Sequence, residues 1–348
     1  MKPEFNITMK ALLFIIISFG LCAKLNAQFH NDGIVSNFED KLIFYHDIGF
    51  NASPYTIKSN FLGSTTKLNY SHNFRLQYGL GFSYRWINLQ LNLPLPVYTK
   101  ALSRFGQNSC FGLQFNLNPK KIQMEFDLKY IKGFAIKNAY YFDDSLNELN
   151  PNIIKPKNSL FYLGTKAWYF GNENFKLKYL NGVTGVYNQH IFSWFVNAAF
   201  RINSLKDPNI IIPTQLHTDT ISKTKSLKFA STELAFVPGF ASILKFNDFQ
   251  ISIIGGIGGA IQLKQYKIIE KNKTLLGITP RYEIGLNMGY SKTNYFVFLT
   301  SDFENISIVW DDLRYNQFYY ALKLRMGYRF NKNNKPNNSG YLSMNRLR

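Results

Sequence analysis

Between Phe318 and Phe330 the chain alternates without a break: Phe318, Tyr320, Leu322, Leu324, Met326, Tyr328 and Phe330 take one parity, and Tyr319, Ala321, Lys323, Arg325, Gly327 and Arg329 the other. Alternation of period two places such sets on opposite faces of a β-strand. A run of about 13 residues exceeds the five or six usual in soluble sheets and suits a tilted crossing of a bilayer's apolar layer. The pattern recurs. Phe249, Ile251, Ile253, Gly255, Ile257, Gly259, Ile261 and Leu263 oppose Gln250, Ser252, Gln262 and Lys264, and comparable sets run from Phe74 to Tyr84, from Ile122 to Tyr130 and from Ile278 to Tyr290.

Strands are predicted at 41–50, 54–62, 64–71, 74–85, 87–93, 109–118, 121–132, 159–169, 174–202, 227–242, 249–265, 277–290, 294–307 and 316–330. Tight turns separate some of them, at Asn118-Pro119-Lys120, Gly171 to Asn174, Phe246-Asn247-Asp248 and Ser291 to Asn294. Long polar segments separate others, at 94–108, 133–158 and 203–226. Short turns on one rim and long loops on the other are the asymmetry of an outer-membrane barrel. The expected fold is therefore all-β, a transmembrane antiparallel up-and-down β-barrel of about 14 strands, with a soluble β-sandwich as the architectural alternative. Fourteen requires 174–202 to be one long or bulged strand, because apolar residues are odd-numbered at Phe175, Leu177 and Tyr179 and even-numbered from Phe192 to Ile202. A turn near Tyr187-Asn188-Gln189, or a single bent strand over 41–62, leaves twelve or sixteen open.

Composition fits this reading. Aromatics are 17% of the chain, yet mean hydropathy is −0.17, because each barrel strand gives half its residues to a polar interior. Ala11 to Ala23 is an uncharged apolar stretch after Lys10, followed by the small-residue junction Leu25-Asn26-Ala27, so 1–27 reads as a signal peptide, with Met9 as an alternative start. Leu21 stands where a lipidated Cys22 would want a small residue, which favours plain cleavage after Ala27. Cleavage leaves one cysteine, Cys110, and excludes an internal disulfide. The formal charge is +19, or +17 once Lys2, Lys10, Lys24 and Glu4 are removed. In an exported barrel that excess points either to a lysine- and asparagine-rich compositional bias carried on loops or to anionic outer-membrane lipid, lipopolysaccharide or an anionic solute, rather than to nucleic acid. Residues 28–330 form the barrel domain, and 331–348 read as a flexible basic periplasmic tail open to a periplasmic partner.

The stretch Lys67 to Leu91, with Gly79-Leu80-Gly81-Phe82-Ser83-Tyr84-Arg85-Trp86 at its centre, resembles a domain-of-unknown-function family of Gram-negative outer-membrane barrels. Gly182 to Arg201, Pro238 to Gly259 and Asn316 to Phe330 are similar to later parts of that domain in order and spacing, so the resemblance covers roughly 38–330. It implies a fold and an outer-membrane location, and no catalytic residues.

No motif supplies chemistry directly. Gly255-Gly256-Ile257-Gly258-Gly259 lacks the strand-to-helix context of a phosphate loop and reads as room for a neighbour inside the barrel. The spacings His190 to Ser193 and His217 to Asp219 are common by chance, the five histidines lack metal-ligand spacing, and Asp143-Asp144 and Asp311-Asp312 read as loop charge. No catalytic, metal or cofactor residue is assigned. Parity instead turns Arg75, Glu125, Asp127, Lys129, Arg201, Arg281, Glu283, Lys323 and Arg325 into the lumen, and Arg85 and Arg329 with them unless they sit at the rim, because a charge on the lipid face costs about 2–4 kcal/mol near the midplane. These charges either interlock or line a basic water-filled path. The second case predicts a passive channel or uptake barrel for small anionic or amphipathic solutes. The first predicts a non-conducting scaffold or docking barrel that binds a partner or surface glycan through its long outer loops. A lipid-modifying or proteolytic barrel is the third reading.

Overall fold

The computed structural model describes residues 33–331 apart from 62–65, 118–121, 219–220 and 270. The expected leader, the turn at 118–120 and the tail from 332 onward lie outside the described residues.

Strands β1 (Val35–Asn37), β2 (Leu42–Ala52), β3 (Tyr55–Ser59), β4 (Lys67–Ser71), β5 (Arg75–Tyr84) and β6 (Ile87–Tyr98) are followed by a one-turn helix, α1 (Leu102–Phe105). Then come β7 (Ser109–Leu117), β8 (Gln123–Lys137), β9 (Ile153–Phe170), β10 (Gly185–Tyr187), β11 (Ile191–Lys206) and β12 (Lys228–Phe246). The chain closes with β13 (Phe249–Lys267), β14 (Asn272–Ser291), β15 (Tyr295–Val309) and β16 (Leu313–Phe330). All but β1 and β10 belong to one antiparallel sheet of 14 strands, which β15–β16 and β7–β8 pairing closes into a ring.

The ring narrows from one rim to the other. Near the tight turns a circuit among the described residues crosses twelve strands: β16, β2, β5, β6, β7, β8, β9, and β11 to β15. Near the long loops β3 and β4 take the places of β2 and β5, β4 pairs directly with β8 (Ser71 opposite Ala135), and β6 and β7 drop out, which leaves ten. Both the count of fourteen and the reading of 41–62 as one bent path therefore describe the same wall, since β2 and β3 both lie along β16. The wall is also uneven in height: β12, β13 and β14 have 19, 19 and 20 residues, β6 and β7 only 12 and 9.

The alternating apolar sets face outward. Ile257, Ile261, Ile278 and Ile284 are more than half exposed, and a continuous apolar band of this extent on a wall is a lipid surface. Aromatic rings collect at the tight-turn rim, where Phe44–Phe330, Tyr290–Tyr295, Phe192–Phe240 and Tyr169–Trp194 lie 5.6–6.2 Å apart. That is the interfacial girdle of an outer-membrane barrel.

The core lies inside the ring, in two separate seals. On the loop side Tyr55 stacks on Tyr70 at 4.4 Å and meets Phe134 and Tyr315, while Trp310 meets Phe229 and Tyr266. The stretch 207–218 folds down onto these rings: Ile211, Ile212 and Leu216 are buried, and Tyr70 Oη donates to the Ile211 carbonyl at 2.8 Å. The expected outer loop 203–226 is thus a cap. Ile210 holds it in a left-handed conformation (φ 63°) that a β-branched residue rarely adopts. Ile210→Gly is expected to raise resistance to unfolding by about 1 kcal/mol, read as a shifted urea midpoint. A fall in the midpoint would show that the Ile210 side chain supports the cap.

The second seal fills the tight-turn end and corrects the strand expected over 174–202. Only β11 belongs to the wall; 171–190 turns inward, forms a 3-10 turn at Leu177–Tyr179, and pairs β10 with β1. Phe175, Tyr179, Leu180 and Tyr187 are buried against Trp168, Phe170, Phe195 and Ile254. Gly239 and Gly256 leave space for the Phe195 ring, where a Cβ at either would come within 2.4 and 3.1 Å of it; of the run Gly255 to Gly259, Gly256 makes room for a ring as expected, Gly258 lies against the backbone of β12, and Gly255 faces open space.

Candidate functional site

Between the seals the inward faces carry charge. Asp47 of β2 receives both Nε and Nη2 of Arg325 from β16 at 2.8 Å, and Gln90 donates to the same carboxylate at 2.6 Å. Across the lumen Arg281 of β14 pairs with Glu233 of β12, its Nε at 2.9 Å, and Arg201 of β11 reaches Glu233 at 3.4 Å and Glu304 of β15 at 3.8 Å. Lys166 of β9 bridges Glu304 and Glu283, and Asn197 donates to Glu283 at 2.9 Å. Lys129 pairs with Asp127 and lies over the Tyr319 ring, while Trp168 Nε1 donates to Glu125 at 3.3 Å. Lys323 Nζ reaches Asn92 Oδ1 at 3.4 Å.

The charged residues of this belt come from eight wall strands, β2, β8, β9, β11, β12, β14, β15 and β16, on both sides of the lumen. Ions taken out of water in this way hold together only because each finds an opposite charge or a dipole. Its balance differs from the basic lumen that parity suggested. Asp47, Glu125, Asp127, Glu233, Glu283, Asp302 and Glu304 face Lys129, Lys166, Arg201, Arg281, Lys323 and Arg325, so seven acids meet six bases. Beside the belt lies a chamber of about 180 Å³.

Of the residues read from sequence, Glu125, Asp127, Lys129, Arg201, Arg281, Glu283, Lys323 and Arg325 come together in this belt. Arg75 stands apart. Its Nε and Nη1 donate to the carbonyls of Leu95 and Asn108 at 2.9 and 3.1 Å. Arg329, turned inward by parity with a rim position as the alternative, is fully buried in the tight-turn seal, and Arg85 occupies the turn between β5 and β6 at φ 55°. Sequence reading missed Asp47, Lys166, Glu233, Asp302 and Glu304. Their parity is correct, but β2 and β15 also turn aromatic rings inward (Tyr45, Phe296, Phe298), so neither face of those strands reads as polar.

The excess positive charge lies instead at the loop-side ends of the strands. Lys58, Lys67, Lys132, Lys137, Lys157, Lys267, Lys273 and Arg314 are exposed there, on seven different strands. The residues weighed for catalysis are otherwise engaged: His190 Nδ1 accepts from the Lys245 amide, Ser193 Oγ donates to the Trp194 carbonyl, and His217 Nε2 lies 3.0 Å from the Ile212 carbonyl. Asp143 caps its own turn through Ser145, and Asp312 pairs with Lys223. Among the described residues no group of His, Cys, Asp and Glu is arranged to hold a metal ion.

Comparison with solved structures finds outer-membrane barrels at low similarity. The toluene transporter TodX of P. putida is 9% identical over 88% of this chain and 95% of its own, with a TM-score of 0.27. A FadL homologue of Pseudomonas aeruginosa is 8% identical over 84% and 91%, with a TM-score of 0.27. Ail, the attachment invasion locus protein of Yersinia pestis, is 12% identical over 61% and 99%, with a TM-score of 0.24. No curated protein matches the chain. Residues 35–330 match the domain of unknown function DUF4421, an interval that takes in both seals and the whole charged belt. The chain therefore belongs to the DUF4421 family, and its wall, girdle and asymmetric rims are those of an outer-membrane β-barrel.

Proposed function

We propose that this protein resides in the outer membrane as a closed, non-conducting barrel and works as a scaffold that presents its outer surface, rather than as a passive pore. One observation carries the reading: the lumen is blocked twice by packed aromatic and aliphatic side chains, with a charge-balanced belt between. Each buried Leu, Ile or Phe contributes about 1.5–3 kcal/mol, so opening either seal costs far more than thermal energy. The basic collar at the loop-side rim suits the phosphates of anionic outer-leaflet lipid such as lipopolysaccharide. The segment 138–152 carries the exposed surface for a partner, with Tyr140 and Tyr141 rings 4.2 Å apart and Leu149 about three-quarters exposed.

The test is a planar-bilayer recording of refolded protein whose heat-modifiable gel shift proves the barrel intact. Silence is the expected result. A steady anion-selective current would sink the reading and restore passive uptake of anions. Gated uptake has one observation in its favour, since the tight-turn seal is a separate segment rather than wall. In that case current appears only when 171–190 is displaced.

A further inference from the structure

The main-chain ladder of the wall stops short between β14 and β15, which pair only over Glu283–Ser291 and Phe296–Glu304 and are then bridged by Asn305 to the Tyr282 amide and the Pro280 carbonyl, and again at a seam between β6 and β7. β6 pairs with β7 only over Ile87–Asn92 and Gly112–Leu117, although both strands continue toward the loop side. The sequence explains the break. The two-residue turn at Arg85-Trp86 makes Tyr84 and Ile87 the closing hydrogen-bonded pair, so even-numbered residues of β6 direct their N–H toward β7. The next two even positions are Pro94 and Pro96, which have no N–H to give. Side chains replace the missing ladder. Arg75 ties the Leu95 carbonyl of β6 to the Asn108 carbonyl at the start of β7, and Gln77 Nε2 lies 3.2 Å from Cys110 Sγ. The lipid side of the seam is apolar, flanked by exposed Leu93, Val97 and Phe111.

Behind the seam the chamber changes character. On the inward faces of β5, β6 and β7 it is lined by carboxamides: Gln77, Asn88, Gln90, Asn92, Gln114 and Asn116. Each carries donors and an acceptor without net charge, which is the complement of hydroxyl groups rather than of an ion. Asn116 Oδ1 and Asn51 Oδ1 are buried there without a protein partner, a costly state that a hydroxyl donor would relieve. The Tyr45 and Tyr319 rings lie in the same lining, with Arg325 and Lys129 over them, and mark where the carboxamides give way to the charged belt.

We propose that this half of the chamber binds the neutral polyol head of an amphiphile, such as a glycosylated lipid, and that the head enters from the bilayer through the β6–β7 seam while its tail stays outside. The proposal rests on the closed-lumen reading, because closed ends leave breaks in the wall as the entry, and the β6–β7 seam is the break backed by the carboxamides. In nanodiscs of phosphatidylethanolamine and phosphatidylglycerol, native mass spectrometry should find one dodecyl glucoside retained per chain, saturably, and at least tenfold in preference to dodecylphosphocholine. Asn92→Leu with Gln114→Leu should lower that retention at least tenfold. Pro94→Val with Pro96→Val restores the donors toward β7 and should slow association at least tenfold without loss of the heat-modifiable fold. Equal retention of both amphiphiles by the folded protein, or undiminished retention by the Asn92, Gln114 variant, would overturn the proposal. The bilayer recording separates the two failures: a conducting barrel refutes the closed lumen, whereas a silent barrel that ignores the glucoside refutes only the seam.

Discussion

Arg329→Gln should free the tight-turn seal, so that trypsin cuts at Lys176 and Lys178 at least tenfold faster while the wall keeps its heat-modifiable shift. The Arg329 guanidinium donates to the carbonyls of Gly182 and Val183 in the inserted segment and, from the same group, to the carbonyls of Lys292 and Tyr295 and to Ser291 Oγ in the wall. It also lies 4.1 Å from the Phe38 ring and 4.6 Å from Phe296. One side chain therefore joins plug to wall. Hydrogen bonds to a charged group contribute about 1.5–3 kcal/mol each, and glutamine has two donors on a shorter stem where arginine has five. A loss of about 3 kcal/mol would raise the open population roughly a hundredfold. Gly182→Ala attacks the same joint from the other side. Gly182 has φ 67°, and a Cβ there would lie 2.2 Å from the Phe298 ring. If both variants resist trypsin as the parent does, the seal is held by its buried aromatics alone and Arg329 is incidental. Current in the Arg329→Gln variant, absent from the parent, would favour gated uptake over a fixed scaffold.

Asp47→Leu should lower stability by about 3–5 kcal/mol, read from urea unfolding in lipid vesicles, while Asp47→Leu with Arg325→Met should recover most of it. The single change strands a buried guanidinium that Gln90 alone cannot neutralise, whereas the double change removes both ions and their desolvation together. Equal losses in single and double variants would mean that the Asp47–Arg325 pair contributes through packing rather than through charge.

The outward face was legible in sequence because lipid demands an apolar residue at every second position and leaves few exceptions. Phe249 to Leu263 and Phe318 to Phe330 lie as their parity requires. The inward face obeys no such rule, since a filled lumen accepts rings and charges alike. Phe296 and Phe298 therefore disguised β15, and with it Asp302 and Glu304, the acids that balance the bases. The inserted segment deceived for a related reason: Phe175, Leu177 and Tyr179 alternate as a strand does, but their spacing serves a 3-10 turn whose apolar side chains point into a core. Pro94 and Pro96 stood in plain view, yet their effect depends on which edge of β6 meets β7, and that is decided by the turn at Arg85.

The uneven wall also acts on the membrane. At about 3.4 Å per residue and a tilt near 45°, β13 rises roughly 45 Å along the bilayer normal and β7 only about 20 Å, against an apolar band of about 25 Å. Lipids beside β13 meet more wall than they need, and lipids beside β7 meet too little. A rigid ring answers such a mismatch by leaning or by drawing the nearby leaflet thin. In either case headgroups are brought down along β6 and β7, to the depth at which main-chain pairing between those strands stops.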